Sequence, residues 1–140
     1  MTPVRVAAGI LIRSDGRFLL TQRPKEKVYG GYWEFPGGKS EADETLPQTL
    51  RRELLEELDI EIAPPKFWRS EKYHYPHAYV ELNFFLVTYW RGEIRGRENQ
   101  AFSWIAPPVL SVAPVLPANE GILSLLFDFL AQDVRKSAAQ

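Results

Sequence analysis

Arg52-Glu53-Leu54-Leu55-Glu56-Glu57-Leu58 sets three carboxylates at i, i+3 and i+4, a spacing that gathers them on one narrow arc of a helix. Leu50, Leu54 and Leu58 fall on an adjacent apolar stripe suited to packing on a core. Like charges four residues apart destabilise a helix by roughly 0.2–0.5 kcal/mol per pair. A helix that only had to be solvated would normally set a lysine opposite one of them. Clustered carboxylate oxygens are instead what Mg²⁺ or Mn²⁺ takes as ligands, above all when phosphates complete the shell. Upstream, Phe35-Pro36-Gly37-Gly38-Lys39 reads as a glycine-bearing loop whose backbone can turn sharply and approach a ligand. Thr45 is placed to cap the helix, with Pro47 tolerated in its first turn. Loop and carboxylates therefore converge on one small volume.

The bulk numbers bound the rest. A chain of 140 residues, 45% hydrophobic and 25% charged, is one ordinary globular domain spanning 1–140. Its net charge of −1 supplies no global positive field, so a nucleic-acid polymer is not expected as a partner. An anionic ligand would need local positive groups and a divalent metal. The absence of cysteine excludes disulfides, thiolate metal sites and cysteine nucleophiles. Residues 1–12 are apolar but too short for a membrane span and lack a signal-peptide layout. No membrane partner and a cytoplasmic location are the expectations.

Working outward from the acidic helix, Val4, Val6, Ala8, Ile10 and Ile12 alternate as a strand. Ser14-Asp15-Gly16-Arg17 signals a hairpin turn, and Phe18 to Gln22 returns as a second strand. Strands are expected over 66–75 and 79–90 and near Trp104, with Val80, Leu82, Phe84 and Leu86 on one face and Tyr79, Glu81 and Asn83 on a half-polar one. Residues 106–118 are proline-rich and irregular. Ile122, Leu125, Leu126, Phe129 and Leu130 mark an amphipathic helix whose tail frays from about Lys136. Strands interleaved with two helices imply an α/β sandwich with a mixed sheet.

Read together, Gly38 to Ile60 resembles the signature box of the Nudix hydrolases. Gly38, Glu44, Arg52, Glu53, Leu54, Glu56, Glu57 and Ile60 all stand in its register. Asp59 stands where the family has glycine, at the left-handed residue that ends the helix. Aspartate visits that conformation better than most residues, so a modest stability cost is expected and no loss of chemistry. The resemblance implies a Nudix-type α/β/α sandwich, a requirement for Mg²⁺ or Mn²⁺, and hydrolysis of a nucleoside diphosphate linked to another group. It implies that Glu53, Glu56 and Glu57 form the metal-ligand and general-base set, with Glu53 nearest the attacking water. The Gly37 carbonyl would complete the metal shell, Arg52 would orient a glutamate, and Glu44 would support it.

Beyond the box, Trp33-Glu34-Phe35-Pro36-Gly37-Gly38-Lys39, Arg23, Arg97-Glu98-Asn99-Gln100 and Pro117-Ala118-Asn119-Glu120 resemble one branch of that family. That branch hydrolyses 8-oxo-dGTP to 8-oxo-dGMP and pyrophosphate, water attacking the β-phosphorus. This likeness implies that Arg23 contacts phosphate and that Glu34, Phe35, Pro36, Gly37, Gly38 and Lys39 line the substrate site. Glu98 would serve as an auxiliary metal ligand or base, and Asn119 would read the nucleobase. Plain alternatives are a surface arginine for Arg23, a solvated loop residue for Glu98 and a helix cap for Asn119. Val28 and Ala78 depart from the branch, which carries nucleotide-reaching side chains at those positions. The expected partner is a nucleotide, bound by a monomer or weak dimer. Competing expectations are a Nudix hydrolase for another nucleotide or ADP-ribose, and a non-hydrolytic domain that recognises damaged bases. The latter would not need Glu44, Glu53, Glu56 and Glu57 together.

Overall fold

The computed structural model describes residues 2–97 and 100–139, with side chains through Gln132. The chain opens with β1 (Val4–Leu11), turns at Asp15, whose carboxylate accepts a 3.1 Å bond from Arg17 N–H, and returns as β2 (Phe18–Gln22). Two short strands follow, β3 (Trp33–Glu34) and β4 (Gly37–Lys39), and then helix α1 (Leu46–Leu58). After it come β5 (Glu61–Ile62), β6 (Lys66–His74), β7 (Tyr79–Val87), β8 (Trp90–Arg91) and β9 (Phe102–Ile105). Helix α2 (Pro117–Ala139) closes the chain and takes in the stretch from Lys136 that composition marks as free to fray.

β1 is the spine of a four-stranded mixed sheet ordered β4-β1-β7-β6. It pairs parallel with β7, from Val4 opposite Val80 to Leu11 opposite Val87, and antiparallel with β4. A strand hydrogen-bonded on both edges must be apolar where both its faces are covered, and Ala7, Ala8, Ile10 and Leu11 are all buried, while Val4 and Arg5 at its start are exposed. Alternation then sorts the layers. Ala7, Leu11, Phe85 and Val87 pack with Leu50, Leu54 and Leu58 of α1, whereas Ala8, Ile10, Leu82, Phe84 and Leu86 pack with Ile122, Leu123, Leu126 and Leu130 of α2. The result is the α/β sandwich expected from the pattern. A second sheet, β3-β2-β9, adds Phe18 and Leu20 to the α2-side core.

Three local expectations change. Gly37–Lys39 is not a free loop but a strand on the edge of β1, with Val6 opposite Lys39. It gains ladder bonds there because only glycine fits: a β-carbon at Gly37 would collide with the Ala7 carbonyl. The strand expected over 79–90 ends at Val87, and Trp90–Arg91 turns away to pair with β5. Asn119 does not cap α2, which begins two residues earlier at Pro117.

Thr45 does cap α1. Its side chain accepts from Gln48 N–H at 3.2 Å while Gln48 Oε1 accepts from Thr45 N–H at 2.9 Å, closing a reciprocal capping box. At the other end Asp59 takes the left-handed conformation (φ 60°, ψ 37°), and its N–H reaches the Leu55 carbonyl. The aspartate side chain also accepts a 3.2 Å bond from Arg97. For a residue with a Cβ, that backbone state costs on the order of 1 kcal/mol, while an exposed ion pair returns about 0.2–1 kcal/mol. The two nearly cancel. Asp59→Gly is therefore expected to stay within about 0.5 kcal/mol of wild type, whereas Asp59→Ala keeps the strain, loses the pair and should fall by about 0.2–1 kcal/mol. Urea unfolding at constant m-value measures both.

Candidate active site

Arg52 organises the acidic helix face. Its Nε and Nη2 donate to the two Glu44 oxygens at 2.7 and 3.0 Å, a fork-to-fork pair. Nη2 also reaches the Lys39 carbonyl at 3.2 Å, and Nη1 donates to Glu53 Oε1 at 2.9 Å. Glu56 stands 3.5 Å from the same nitrogen and is half exposed. Thus one guanidinium joins the loop before α1, the end of β4 and two of the three helix carboxylates. Glu44 accepts further bonds from Glu41 N–H at 2.9 Å and Thr49 Oγ1 at 3.0 Å. The Arg52 bond, then the Glu41 N–H, hold the Glu44 carboxyl well below its usual value, at about 2. Reciprocally, Glu44 and Glu53 drive the Arg52 guanidinium further into its charged form.

Glu53 lies over the glycine strand. A β-carbon at Gly38 would stand within 2.7 Å of both Glu53 carboxylate oxygens, so the carboxylate occupies the space a side chain would need. Burial pushes the Glu53 carboxyl up, against the pull of Arg52, and the nearby Glu56 charge adds to the rise. The Glu57 side chain hydrogen-bonds it as well. Two carboxyls in such contact need a proton between them, and a divalent cation with oxygen ligands answers the same demand. Among the described residues no three Asp, Glu or His side chains close into a ready cage. Mg²⁺ is commonly held by one or two carboxylates plus waters and substrate phosphates, which this pair suits. Glu98 lies outside the described residues. Its neighbour Arg97 is anchored to the same end of α1, its N–H donating to the Glu57 carbonyl at 2.9 Å.

The other residues singled out from sequence fall around the β3–β4 segment. Arg23 Nη1 bonds both Glu34 oxygens at 3.1 and 3.2 Å, and its Nε donates to the Val28 carbonyl at 2.9 Å. Burial raises the Glu34 carboxyl, opposed by Arg23 and Lys27. A cavity of about 310 Å³ opens beside this pair, lined by Gln22, Arg23, Lys25 and Gln100 among others. A larger one, about 410 Å³, lies on the flank of α1, lined by Arg51, Arg52, Leu55 and Ile62 among others. Phe35 is a core residue, packed on Phe18 and Phe84. What it offers the site is its backbone: Phe35 N–H donates to Asn119 Oδ1 at 3.1 Å. Only the amide oxygen can accept that bond, so the Asn119 amide is oriented unambiguously. Pro36 is buried with its carbonyl accepting from Gly9 N–H at 2.7 Å, and Lys39 is exposed. Sequence reasoning passed over Tyr75, whose hydroxyl accepts a 2.9 Å bond from Ala118 N–H. Nothing in the sequence marks it, since the two residues lie 43 positions apart.

An acidic helix braced by an arginine, set over a glycine strand in an α/β sandwich, is an arrangement suited to a divalent cation held between carboxylates and phosphate. The NUDIX domain model matches residues 7–125, and the chain belongs to that family. It is 36% identical to the 8-oxo-dGTP diphosphatase of Haemophilus influenzae over 89% of this chain and 92% of that protein. It is 37% identical to the CTP pyrophosphohydrolase of Escherichia coli over 94% of each. A solved MutT structure from work on Aliivibrio salmonicida and Vibrio cholerae superposes with a TM-score of 0.77 at 32% identity, covering 91% of this chain and 98% of that one. No helix among the described residues is long and apolar enough to cross a membrane.

The Glu44–Arg52 brace makes stability depend on acid in a definite direction. A carboxyl held at about 2 against an ordinary 4.5 contributes fully above the higher value and is lost as pH falls through the lower one. Melting temperatures of wild type and Glu44→Gln should therefore differ most near neutral pH. The gap should narrow between pH 4.5 and about 2.

Proposed function

We propose that this chain is a Mg²⁺-dependent nucleoside triphosphate pyrophosphohydrolase whose preferred substrate is 8-oxo-dGTP, released as 8-oxo-dGMP and pyrophosphate. The observation that carries the reading is the segment Phe35 to Gly38. At one end it bonds Asn119, and at the other Gly38 lies against the Glu53 carboxylate. Three residue steps span at most about 10 Å, the scale of one nucleotide laid from base to phosphates. Base recognition and hydrolysis are thus held in fixed relation by one short stretch of backbone.

Glu53 and Glu57, with Glu56 beside them, would hold Mg²⁺, and the Gly37 carbonyl and Glu98 are proposed to complete its surroundings. When bound, the metal neutralises phosphate charge and lowers the pKa of water. Arg52 keeps Glu53 oriented and ionisable beside Gly38, with Glu44 fixing the guanidinium from behind. Glu53 is proposed to take a proton from the attacking water. Arg23, held through Nη1 by Glu34 and through Nε by the Val28 carbonyl, is proposed to contact a phosphate through Nη2. Glu57→Gln preserves shape but removes charge, so kcat should drop at least ~10²-fold in saturating Mg²⁺. Near wild-type turnover would remove Glu57 from the set. Millimolar Mg²⁺ should raise the melting temperature, more so with nucleotide present. An unchanged melt would leave the acidic face as a merely solvated surface.

Base choice follows from the Asn119 amide. Its oxygen spends one lone pair on Phe35 N–H, leaving a second lone pair and the NH₂. Ordinary guanine shows acceptors at both N7 and O6, whereas oxidation at C8 puts a hydrogen on N7. The amide can then accept from N7–H and donate to O6, but would meet repulsion at the N7 of ordinary guanine. A buried polar contact of this kind can discriminate by ~10⁴-fold, and Asn119 is 3% exposed. A pyrimidine nucleotide is the second reading, favoured by the likeness to the CTP enzyme over 94% of each chain. Pyrophosphate release from 8-oxo-dGTP, dGTP and CTP separates them. Asn119→Ala should cost the 8-oxo-dGTP reaction far more than the dGTP reaction. Equal losses with a lowered melting temperature would make Asn119 a structural residue. A freely diffusing nucleotide substrate fits a cytoplasmic monomer or weak dimer.

A further inference from the structure

The hairpin between β6 and β7 carries Tyr75-Pro76-His77-Ala78, and Tyr75 leaves it to meet the start of α2. Its hydroxyl oxygen accepts a 2.9 Å bond from Ala118 N–H. First-turn N–H groups have no partner inside their own helix, so the phenol satisfies a donor that would otherwise need water. Asn119 is the next residue, and its amide oxygen is bonded to Phe35 N–H at 3.1 Å. Tyr75, the Ala118–Asn119 step and Phe35 thus form one continuous connection from the hairpin through α2 to the segment that precedes the glycine strand.

The Tyr75 ring is itself held from several sides. Ring centroids lie 4.7 Å away at Tyr73, 5.2 Å at His77 and 5.4 Å at Tyr29. Tyr29 adopts a positive φ of 58°, a conformation uncommon for a bulky side chain that persists where surroundings over-determine it. Its contacts to Tyr32 at 5.1 Å and His77 at 5.9 Å supply that packing. The 24–31 loop, the β6–β7 turn and the start of α2 are thereby pinned to one another around a single phenol. Burial pushes that phenol up to about 12, so the hydroxyl stays neutral and its bond is insensitive to ordinary pH.

We propose that Tyr75 is a positioning residue for base discrimination: its hydroxyl fixes the Ala118–Asn119 step so that the Asn119 amide meets the base in a single orientation. The proposal rests on Asn119 being the group that reads the base. Deleting one ordinary hydrogen bond is expected to change selectivity by about 3- to 10-fold.

Tyr75→Phe keeps the ring packing and removes only the acceptor. Steady-state kinetics on 8-oxo-dGTP, dGTP, CTP and UTP, with amide-proton exchange at Ala118, give the readouts. KM for the preferred nucleotide should rise about 3- to 10-fold with much less change in kcat. Selectivity over its nearest base analogue should fall by the same factor, and the Ala118 amide should exchange faster. Ala118→Pro deletes the donor instead, at the second residue of α2, whose N–H has no intrahelical partner to lose. The double variant should then be no less selective than either single one, because both remove the same bond. Unchanged selectivity in Tyr75→Phe, even with a lowered melting temperature, would reduce Tyr75 to a structural contact and overturn the proposal. A wild type that prefers CTP would overturn the oxidised-guanine reading alone, and the Tyr75 proposal would then be decided by the CTP-to-UTP ratio. A wild type without base preference overturns both.

Discussion

Three carboxylates on one helix face repel one another, and the Arg52 guanidinium makes their arrangement tolerable. Its two-pronged bond to Glu44 fixes the plane of the guanidinium, and Nη1 is then aimed at Glu53. Glu44 in turn is anchored by Glu41 N–H and Thr49, so the brace is rooted in the loop and the first turn of α1 rather than in solvent. Because Arg52 also takes the Lys39 carbonyl, α1 and β4 are locked at the separation that lets Glu53 rest on Gly38. Substituting either glycine or arginine would move the same carboxylate. The site's geometry is therefore a property of this contact more than of any single catalytic side chain.

The sandwich supplies a rigid seat for that contact. β1 carries alternate residues into two separate apolar layers, one under α1 and one under α2. The segment Trp33 to Lys39 crosses between them: β3 belongs to the sheet with β2 and β9, β4 to the sheet with β1. Phe35 is buried in the α2-side layer, and Gly38 faces the α1 side. One short stretch of backbone is thus anchored in both cores, and rigid anchoring is what keeps two halves of a site in register.

The two ends of the candidate site draw on different parts of the molecule. The carboxylates, Arg52 and Glu44 sit on α1 and its approach, while Asn119 lies on α2 against Phe35 N–H, and Tyr75 of the β6–β7 turn holds the neighbouring Ala118. The aromatic cluster of Tyr29, Tyr32, Tyr75 and His77 packs the 24–31 loop against that turn. Loops and turns on a fixed scaffold are where substrate preference diverges most readily. That fits a chain of comparable identity to an 8-oxo-dGTP enzyme and a CTP enzyme.

By itself the sequence determined what depends on neighbours along the chain. The Thr45 cap, the Leu50-Leu54-Leu58 stripe, the carboxylate arc and the left-handed tolerance of Asp59 are all short-range, set by helical periodicity and backbone sterics, and each stands where the spacing put it. The alternating strands and two amphipathic helices likewise sufficed for an α/β sandwich. Tertiary structure alone decided the rest. It made Gly37–Lys39 a strand, because a glycine pair reads as a loop until β1 is laid against it. It ended β7 at Val87, since pairing with β5 draws Trp90 away. It turned Phe35 into core and Asn119 from a cap into a buried amide, and it joined Tyr75 to Ala118 across the fold. A hydrogen bond between residues 43 or 84 positions apart leaves no periodic trace, because its partners are chosen by packing and by the need to satisfy every buried donor.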